Sequence, residues 1–337
     1  MANLKILVAY HKKSPVVENE VFLPIHLGQG DDYDYLATQM IGDDTGDNIS
    51  QKNSTYNEFT AVYWAWKNYD KIGNPDYIGL NHYRRFFIFE KRKYAFYDTD
   101  SADGIFEKLN YSPENVDKVL EGVDFVAPMP NVRSSVYNNY KFTHHADDFN
   151  LVLKIINEDF PFMTRTATDY AKDKVTFFYN AFIFKKQQFF DYCNFMFTVL
   201  EKYEKQTKHP TERMFITERL TGIYFAYLLE QGKKANYLPI LFLGRKKKFK
   251  EVLAEVRQNF KEKKGGFLIC IKPLILYFIP KRIYYIRKKR TALRPDHCRY
   301  ACGCLRRADQ QKHVGSQYEG YYFCARYICR RFMRGKV

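Results

Sequence analysis

Basic and imidazole side chains stand at the ends of two predicted strands, where they are suited to binding an anion. The first strand covers residues 4–10 and the second covers residues 77–83. The side chains at their ends are His11, Lys12, Lys13, His82, Arg84 and Arg85. Ligands of open α/β sheets bind beyond the carboxyl ends of the strands, so we expect these groups to gather at one edge and hold a diphosphate. A solvated turn for the lysines and a structural ion pair for the arginines are the alternatives.

Three carboxylates are candidates for a catalytic base. Glu218 lies in a predicted helix over residues 211–231, and Asp147 and Asp148 lie close to two histidines at the start of a helix predicted over 145–158. A carboxylate with a raised pKa is suited to accepting a proton from a hydroxyl group. The alternatives are a salt-bridged core carboxylate for Glu218 and a favourable charge at a helix N-terminus for the aspartates.

Three further polar residues complete the candidate set. Asn180 lies in the middle of an apolar run over residues 176–184, which is predicted as a strand. A buried amide needs hydrogen-bond partners, and a hydroxyl-rich ligand would supply them. Asp47 and Asn48 lie in a polar loop over residues 43–53, which we expect to close over the basic groups.

A metal ion is not assigned by the sequence. Asp98 and Asp100 have the Asp-x-Asp spacing with which many nucleotide-sugar enzymes hold Mn²⁺ or Mg²⁺. They follow a charged stretch over residues 91–97, so we expect a solvent-exposed loop there. The cysteine and histidine spacings near the C-terminus do not match common zinc sites. The sequence therefore leaves open whether a divalent cation is a cofactor.

Motifs of several enzyme classes are absent from the sequence. There is no G-x-x-x-x-G-K-[ST] phosphate loop, no G-x-G-x-x-G fingerprint and no G-x-S-x-G elbow. These absences argue against a P-loop NTPase, a nicotinamide dehydrogenase and a serine hydrolase. No run of 18 uninterrupted apolar residues occurs, which excludes a conventional membrane-spanning helix.

The elements that must position the candidate groups alternate between strands and helices. Further strands are predicted at 123–128 and 238–243, and a further helix at about 186–204. Another helix is predicted to begin with the capping box Thr55-x-x-Glu58. This alternation favours an α/β fold in which helices flank a mostly parallel sheet.

The positive charge of the chain is concentrated at its C-terminal end. Residues 245–337 carry 26 Lys and Arg against 6 Asp and Glu, a net charge of +20, whereas residues 1–244 carry −4. Residues 245–290 mix basic clusters with apolar positions, and the apolar stretch 267–280 is too short to span a bilayer. We predict that 245–290 lies on an anionic membrane surface. A buried helix pair with a solvated basic face is the alternative.

Residues 291–337 differ in composition from everything before them. They hold five of the seven cysteines, and they use 8 Arg and 2 Lys where residues 1–290 use 12 and 32. This change predicts that the Cys- and Arg-rich tail is not part of the fold formed by residues 1–244. The N-terminus lacks a signal-peptide cleavage region, so the protein is expected to be cytoplasmic and without a disulfide framework.

Three sequence blocks resemble a bacterial domain family found in capsular and exopolysaccharide synthesis clusters. They read Asp44-Thr-Gly-Asp-Asn-Ile-Ser-x-Lys-Asn53, Tyr56-x-Glu-x-Thr-x-x-Tyr-Trp-x-Trp-Lys-Asn68 and Gly79-Leu-x-His-Tyr-Arg-Arg85. Residues 179–184 and 217–220 are similar to later blocks of the family, and the resemblance covers about residues 3–243.

The resemblance implies a GT-A-like glycosyltransferase fold and a UDP-sugar donor, and some members of the family are linked to galactofuranose transfer. It raises as site candidates His82, Arg84, Arg85, Asp47, Asn48, Asn180 and Glu218. In such a fold an Asp-x-Asp motif is expected near the end of the second predicted strand, where this chain has Asn81-His-Tyr-Arg-Arg85. Arginine and histidine in that place would neutralise the leaving diphosphate instead of a metal ion.

The expected protein is a glycosyltransferase on the inner face of the cell membrane that extends a lipid-linked oligosaccharide. Two alternatives come from other classes. A nucleic-acid-binding protein would explain the basic tail, but residues 1–244 are net acidic, so no nucleic-acid partner is expected. A non-catalytic polysaccharide-binding or assembly protein would use an aromatic-rich surface.

Overall fold

The computed structural model describes residues 2–28, 30–132, 135–210, 214–244, 249–261 and 271. Its strands are β1 (Leu4–Tyr10), β2 (Phe22–His26), β3 (Ile41–Gly42), β4 (Tyr77–His82), β5 (Arg85–Phe87), β6 (Phe96–Thr99), β7 (Phe125–Pro128), β8 (Asn131–Val132), β9 (Val175–Thr176), β10 (Phe182–Lys185), β11 (Ala235–Leu238) and β12 (Ile240–Leu243). Its helices are α1 (Tyr33–Ala37), α2 (Asn53–Tyr56), α3 (Phe59–Lys67), α4 (Ile105–Lys108), α5 (Pro113–Leu120), α6 (Val136–Thr143), α7 (Ala146–Asp159), α8 (Thr164–Lys172), α9 (Lys186–Gln206), α10 (Thr217–Glu230) and α11 (Phe249–Lys261).

The main sheet has the strand order β11-β7-β10-β4-β1-β2-β3. The neighbours β4, β1, β2 and β3 are all parallel, and so are β11 and β7. Strand β10 alone among these seven runs the other way, antiparallel to both β4 and β7. Its first residue therefore lies at the edge where β1 and β4 end. The expected α/β fold with a mostly parallel sheet flanked by helices is confirmed.

Buried side chains on the two faces of the sheet form two cores. On one face, alternate residues of β1 such as Leu7 and Ala9 pack with helices α3, α7, α9 and α10. On the other face, Ile6 and Val8 pack with α5 and with strands β5 and β12. The period of two along β1 thus divides one apolar strand between two cores. Helix α3 is buried on most of its sides, as its sequence predicts.

The apolar run 176–184 is not one strand. Strand β9 ends at Thr176 and β10 begins at Phe182, because Tyr179 and Asn180 have backbone φ angles of 83° and 50°. This left-handed conformation ends strand pairing. The run looked continuous because a fully apolar segment gives no alternation from which a turn can be located. The run 238–243 is likewise split between β11 and β12.

The predicted capping box does not form. Helix α3 begins at Phe59 after a break at Asn57, whose φ is 53°. The Thr55 hydroxyl donates to the Lys52 carbonyl, and the Glu58 carboxylate accepts a hydrogen bond from Asn180 rather than from the helix. A contact distant in sequence therefore overrides a local capping preference.

The structure describes only part of the C-terminal region for which predictions were made. Helix α11 lies within the predicted basic segment 245–290, and its Val252 is buried. The other residues of that segment, apart from 271, and the tail 291–337 lie outside the described residues. Over the part of the chain that is described, none of the helices has the length and apolar character needed to cross a bilayer.

Candidate functional site

Four elements bring polar side chains to one edge of the main sheet. Strand β1 ends there one residue before His11, and β4 ends there at His82. Strand β10 begins at the same edge, shortly after Asn180. The N-terminal ends of α3 and α10 meet the same edge, because Asn180 contacts both Glu58 and Thr217. This is the edge where ligands of open α/β sheets bind.

A cluster of contacting, tilted rings forms the floor of the site. The His82 ring lies 5.5 Å from the His11 ring and 4.3 Å from the Tyr83 ring, measured between centroids. Burial, together with the charges of Arg85, His11 and Arg84, lowers the pKa of His82 to about 2. Its Nδ1 atom accepts a hydrogen bond of 3.4 Å from the Arg84 backbone N–H. His82 is therefore neutral, with its remaining proton on Nε2 as a donor.

Two guanidinium groups rest on aromatic rings at this floor. Arg84 is exposed and lies 5.0 Å from the centroid of Tyr83, and Arg85 lies 5.4 Å from the centroid of Tyr179. Within the described parts of the chain, neither guanidinium has a carboxylate within ion-pair distance, so the structural ion pair considered for them is not found. Rings of this kind orient arginine without using its hydrogen-bond donors. Both arginines can therefore contact an anion.

The Tyr179–Asn180 turn links the site to two helices. The Asn180 amide nitrogen donates to Glu58 Oε1 at 2.8 Å and to Thr217 Oγ1 at 3.2 Å. Its amide oxygen accepts from the Thr221 hydroxyl at 3.4 Å. The amide is thus bonded within the protein on both sides. Its role in the structure is to tie the turn to α3 and α10, and two consecutive left-handed residues without a glycine are strained backbone of the kind that clusters at functional sites.

Glu218 is held beside this turn by two partners. Its Oε1 accepts the Tyr179 backbone N–H at 3.1 Å, and its Oε2 lies 3.0 Å from the guanidinium of Arg219. Burial raises the pKa of Glu218, while the charge of Arg219, the Tyr179 hydrogen bond and the charge of Arg85 oppose that rise. A quarter of the side chain stays exposed. Glu218 is therefore a weakly acidic, accessible carboxylate, which is the character required of a general base.

Arg219 is held by polar and aromatic contacts, although its buried Nε has no hydrogen-bond partner within the described chain. It is 5% exposed and donates to the Asn139 side-chain oxygen at 3.1 Å. Its guanidinium lies between two rings, 5.1 Å from the centroid of Tyr140 and 5.6 Å from that of Phe178. A buried charge needs its partner, so Arg219 and Glu218 depend on one another.

The two aspartates of the candidate set lie in another cluster. Asp148 is buried in the first turn of α7 and accepts hydrogen bonds from Thr207 Oγ1 at 2.9 Å and from His209 Nδ1 at 3.2 Å. Asp147 is exposed and lies 3.4 Å from the Lys208 ammonium. These contacts join α7 to the C-terminal end of α9. The structure does not bring the aspartates into the network of Glu218 and Asn180.

The polar loop is fastened to the far end of α3. Asp47 accepts a hydrogen bond from the Tyr63 hydroxyl at 3.3 Å, and its carbonyl accepts one from Asn68. Asn48 bonds within the loop, to the Gly46 carbonyl and the Ser50 N–H. Glu58 precedes the other end of this nine-residue helix, about 13 Å away. Within the described chain, the hydrogen bonds of Asp47 and Asn48 are thus with α3 and the loop itself and do not reach His82.

The remaining basic candidates are on the surface after β1. Lys12 is exposed one residue beyond His11. The Lys13 ammonium lies 3.9 Å from Asp32 and 4.8 Å from the centroid of Tyr35, so it is engaged in the turn.

The Asp-x-Asp pair is exposed, as expected, but only Asp100 lies in a loop. Asp98 belongs to β6 and pairs with Phe242 of β12, which pairs in turn with Arg85. Pairing with β12 makes residues 96–99 a strand where a loop was expected. Among the described residues, no group of three or more His, Cys, Asp and Glu side chains is arranged to hold a metal ion. The identity of a divalent cation stays a prediction.

Glu58, Tyr179 and Arg219 are site residues that were not among the sequence candidates. Glu58 was assigned to a helix cap, and Tyr179 was assigned to a strand. The presence of Glu58 in the block Tyr56-x-Glu that resembles the family was the available signal. The Tyr179 backbone conformation had no signal in the sequence.

Comparisons with known proteins assign the chain to a family. A family model described as "Domain of unknown function (DUF4422)" matches residues 5–230, about two thirds of the chain. The chain belongs to this family. The matched residues include every element that contributes to the cluster at the sheet edge. No curated protein matches the chain.

One solved structure is similar over most of the chain. It is the apo structure of WbbM, described as a bifunctional glycosyltransferase, with 26% sequence identity and a TM-score of 0.63. The alignment covers 72% of this chain and 45% of WbbM, so this chain spans less than half of that protein.

Proposed function

We propose that this member of the DUF4422 family is a glycosyltransferase that moves a sugar from a UDP-sugar to a lipid-linked oligosaccharide in capsular or exopolysaccharide synthesis. The observation that carries the proposal is found at the ligand-binding edge of the sheet. Two arginines there have no carboxylate within ion-pair distance among the described residues, and one carboxylate has a raised pKa. The similarity to WbbM, which is described as a glycosyltransferase, supports it.

The basic side of the site is assigned to the donor diphosphate. Arg84 and Arg85 would contact its oxygens, and the neutral His82 would donate from Nε2. Charge-assisted hydrogen bonds from arginine to phosphate are among the strongest in proteins. They would stabilise the negative charge that grows on UDP as the bond to the sugar breaks, with or without Mn²⁺ or Mg²⁺. Lys12 would add positive charge at the entrance.

Glu218 is assigned to the acceptor. In an inverting reaction its carboxylate takes the proton of the acceptor hydroxyl, and the freed oxygen forms a bond to the anomeric carbon. The bond from that carbon to the diphosphate breaks at the same time, and UDP leaves with the electron pair. Arg219 and the Tyr179 N–H hold the carboxylate in place, and Asn180 holds the turn.

The finer specificity follows from the family resemblance. We propose a hexose donor, and UDP-galactofuranose is the first sugar to test. Helix α11 and the basic residues around it would bring the site to the inner membrane face, where a lipid-linked acceptor is held. A protein truncated after residue 244 should then lose binding to anionic vesicles. If it still sedimented with them, the basic segment would not be the anchor.

Ligand-dependent thermal stability tests the donor site first. Melting of the purified protein is measured with UDP, GDP, CMP and UDP-sugars, each with and without Mn²⁺. A ligand present at 100 times its Kd stabilises the folded state by about 2.7 kcal/mol, which is visible as a melting shift. A shift selective for UDP is expected, and its dependence on Mn²⁺ separates a metal site from an arginine site. The absence of any nucleotide shift would favour a non-catalytic polysaccharide-binding protein.

A further inference from the structure

A row of contacting side chains leads from Glu218 to the protein surface. Glu218 pairs with Arg219, whose guanidinium lies 5.1 Å from the centroid of Tyr140. The Tyr140 ring lies 4.9 Å from the ring of His144. The His144 ring is stacked on Phe215, with centroids 4.5 Å apart and planes at 19°. We call these five residues the aromatic row. The aromatic row connects the Glu218 carboxylate, through Arg219 and Tyr140, to the stacked rings of His144 and Phe215.

Near the outer end of the row, aromatic side chains are more exposed to solvent than is usual for residues of their type. Phe215 is 45% exposed, and the His144 ring stacked on it is half-buried. Phe142, two residues before His144, is 75% exposed. Large aromatic side chains are normally buried, and groups of them at a surface mark binding sites. The described residues contain six exposed large hydrophobic side chains, and two of them fall in this segment.

The backbone on both sides of Phe215 is held by hydrogen bonds in the absence of a ligand. The Met214 N–H donates to the Thr55 carbonyl at 2.9 Å, and the Thr217 N–H donates back to the Met214 carbonyl. At the other end of the row, Tyr140 is 2% exposed and therefore anchored in the core. A ring held in this way gives a ligand a rigid face at little cost in conformational entropy.

We propose that His144 and Phe215 form the subsite for the acceptor sugar, a refinement that rests on the proposed function. A sugar ring has apolar C–H groups on its faces and hydroxyl groups at its rim. The Phe215 ring can cover such a face, and the His144 ring stacked on it holds that face in place. The contacts through Tyr140 and Arg219 link this ring to the Glu218 carboxylate.

The surroundings favour a sugar over a lipid chain. The segment after His144 carries the exposed Asp147, which pairs with Lys208 at the surface. A hydrocarbon chain would desolvate these charges, whereas a hydroxyl-rich ligand would contact them favourably. Binding of His144 and Phe215 to a membrane is therefore one of the outcomes that the experiment below distinguishes.

Saturation-transfer difference NMR measures sugar contact directly. The probes are methyl glycosides of galactose, glucose, rhamnose and N-acetylglucosamine, in the presence of UDP. We expect saturation of ring C–H protons in the wild-type protein, and a loss of affinity of about fivefold in Phe215→Ala and in His144→Ala. Phe215→Tyr keeps the ring and should keep the signal.

Phe162→Ala is the matched control. Phe162 is 64% exposed, but it packs against Phe160 and Tyr227 and is not part of the aromatic row. Its substitution should leave glycoside binding unchanged. All four variants should keep the wild-type melting shift with UDP, since none of the substituted residues touches the basic side of the site.

Three results would overturn the proposal. The first is that no glycoside saturates with the wild-type protein, and the second is that Phe215→Ala binds as well as wild type. The third is that Phe215→Ala loses binding to anionic phosphatidylglycerol vesicles but keeps its glycoside signal, which would assign the pair to the membrane. If UDP gave no shift while glycoside binding still depended on Phe215, the proposed transferase function would fail and the sugar subsite would stand.

Discussion

The two sides of the candidate site are built in opposite ways. On the acceptor side, Glu218 is bonded to the Tyr179 backbone and to Arg219, and Asn180 has partners on both sides of its amide. On the donor side, Arg84 and Arg85 rest on aromatic rings and have no carboxylate partner among the described residues. The acceptor side is engaged mainly in internal contacts, whereas the donor side keeps its guanidinium groups available to an anion.

The difference reflects what each side must do. A base has to stand in one position with a tuned pKa, so its hydrogen-bond partners belong to the protein. A diphosphate brings its own charges, so the groups that bind it must have donors to spare. Substitutions on the acceptor side should therefore change turnover, and those on the donor side should change nucleotide binding.

The largest expected effect comes from Glu218→Gln. Without the carboxylate the acceptor hydroxyl is not deprotonated, and the transfer rate should fall about 10²- to 10⁴-fold. The melting shift with UDP should stay, because Glu218 does not face the diphosphate. Glu230→Gln changes a carboxylate at the other end of α10, bonded to Thr166, and should leave the rate unchanged.

The same substitution should lower stability, because Arg219 loses its buried partner, but it should flatten the pH dependence of that stability. The pKa of Glu218 is raised in the folded protein, so folding favours its protonated form. The associated stability is present below the ordinary carboxyl pKa of 4.5 and is lost as the pH rises through the folded pKa. Glutamine does not ionise, so the variant does not lose this stability as the pH rises. Thermal melting from pH 4 upwards should show Glu218→Gln gaining on the wild type as the pH increases, and parallel curves would contradict the burial argument.

The second effect in size comes from Arg84→Ala and Arg85→Ala. Each removes a charge-assisted contact worth about 1.5–3 kcal/mol, so the affinity for UDP should fall roughly 10- to 100-fold for each. Calorimetric titration with UDP measures this. Lys13→Ala removes a nearby positive charge that is engaged with Asp32, and it should change the affinity far less. Equal losses in all three variants would mean that only net charge matters.

A third test, Arg219→Gln, separates position from charge on the acceptor side. The Arg219 charge lowers the pKa of Glu218, so its removal should raise that pKa further. The acidic limb of the pH–rate profile should move to higher pH, and Arg219→Lys should restore part of the shift. Arg219→Gln should also melt earlier, since removing one partner of a buried pair costs about 3–5 kcal/mol. A lower melting temperature with an unmoved profile would leave Arg219 a structural residue only.

Most of the fold can be predicted from the sequence, because the strands and long helices carry strong local patterns. The strand Leu4–Tyr10 has the predicted bounds, and α7 and α9 differ from prediction by a few residues. The ends of β1 and β4 identify His11, His82 and the arginines. The acceptor side was predicted less well, since its geometry depends on the left-handed turn at Tyr179 and Asn180. That turn is stabilised by Glu58 and Thr217, which are far from it in sequence.

Asn180 tests the strained turn with a smaller effect. Asn180→Ala removes the bonds to Glu58 and Thr217 and places a Cβ-bearing residue without a compensating amide at φ 50°, so we expect a loss of about 1–3 kcal/mol in unfolding free energy. Asn180→Gly loses the same bonds but tolerates the left-handed backbone, and it should be more stable than the alanine variant by about 1 kcal/mol. Urea unfolding of the two variants measures the difference. An alanine variant as stable as the glycine variant would show that the turn relaxes.

The smallest effect is expected for Asp147→Asn. Asp147 is exposed and paired only with the exposed Lys208, so its loss should change the unfolding free energy by less than about 0.5 kcal/mol. The transfer rate should stay within about twofold of wild type, because Asp147 lies outside the Glu218 network. Asp148→Asn disturbs the bonds to Thr207 and His209 and should lower the melting temperature with little change in rate. A large loss of rate in either variant, with UDP binding intact, would move the base from α10 to α7 and reverse the assignment of the acceptor side.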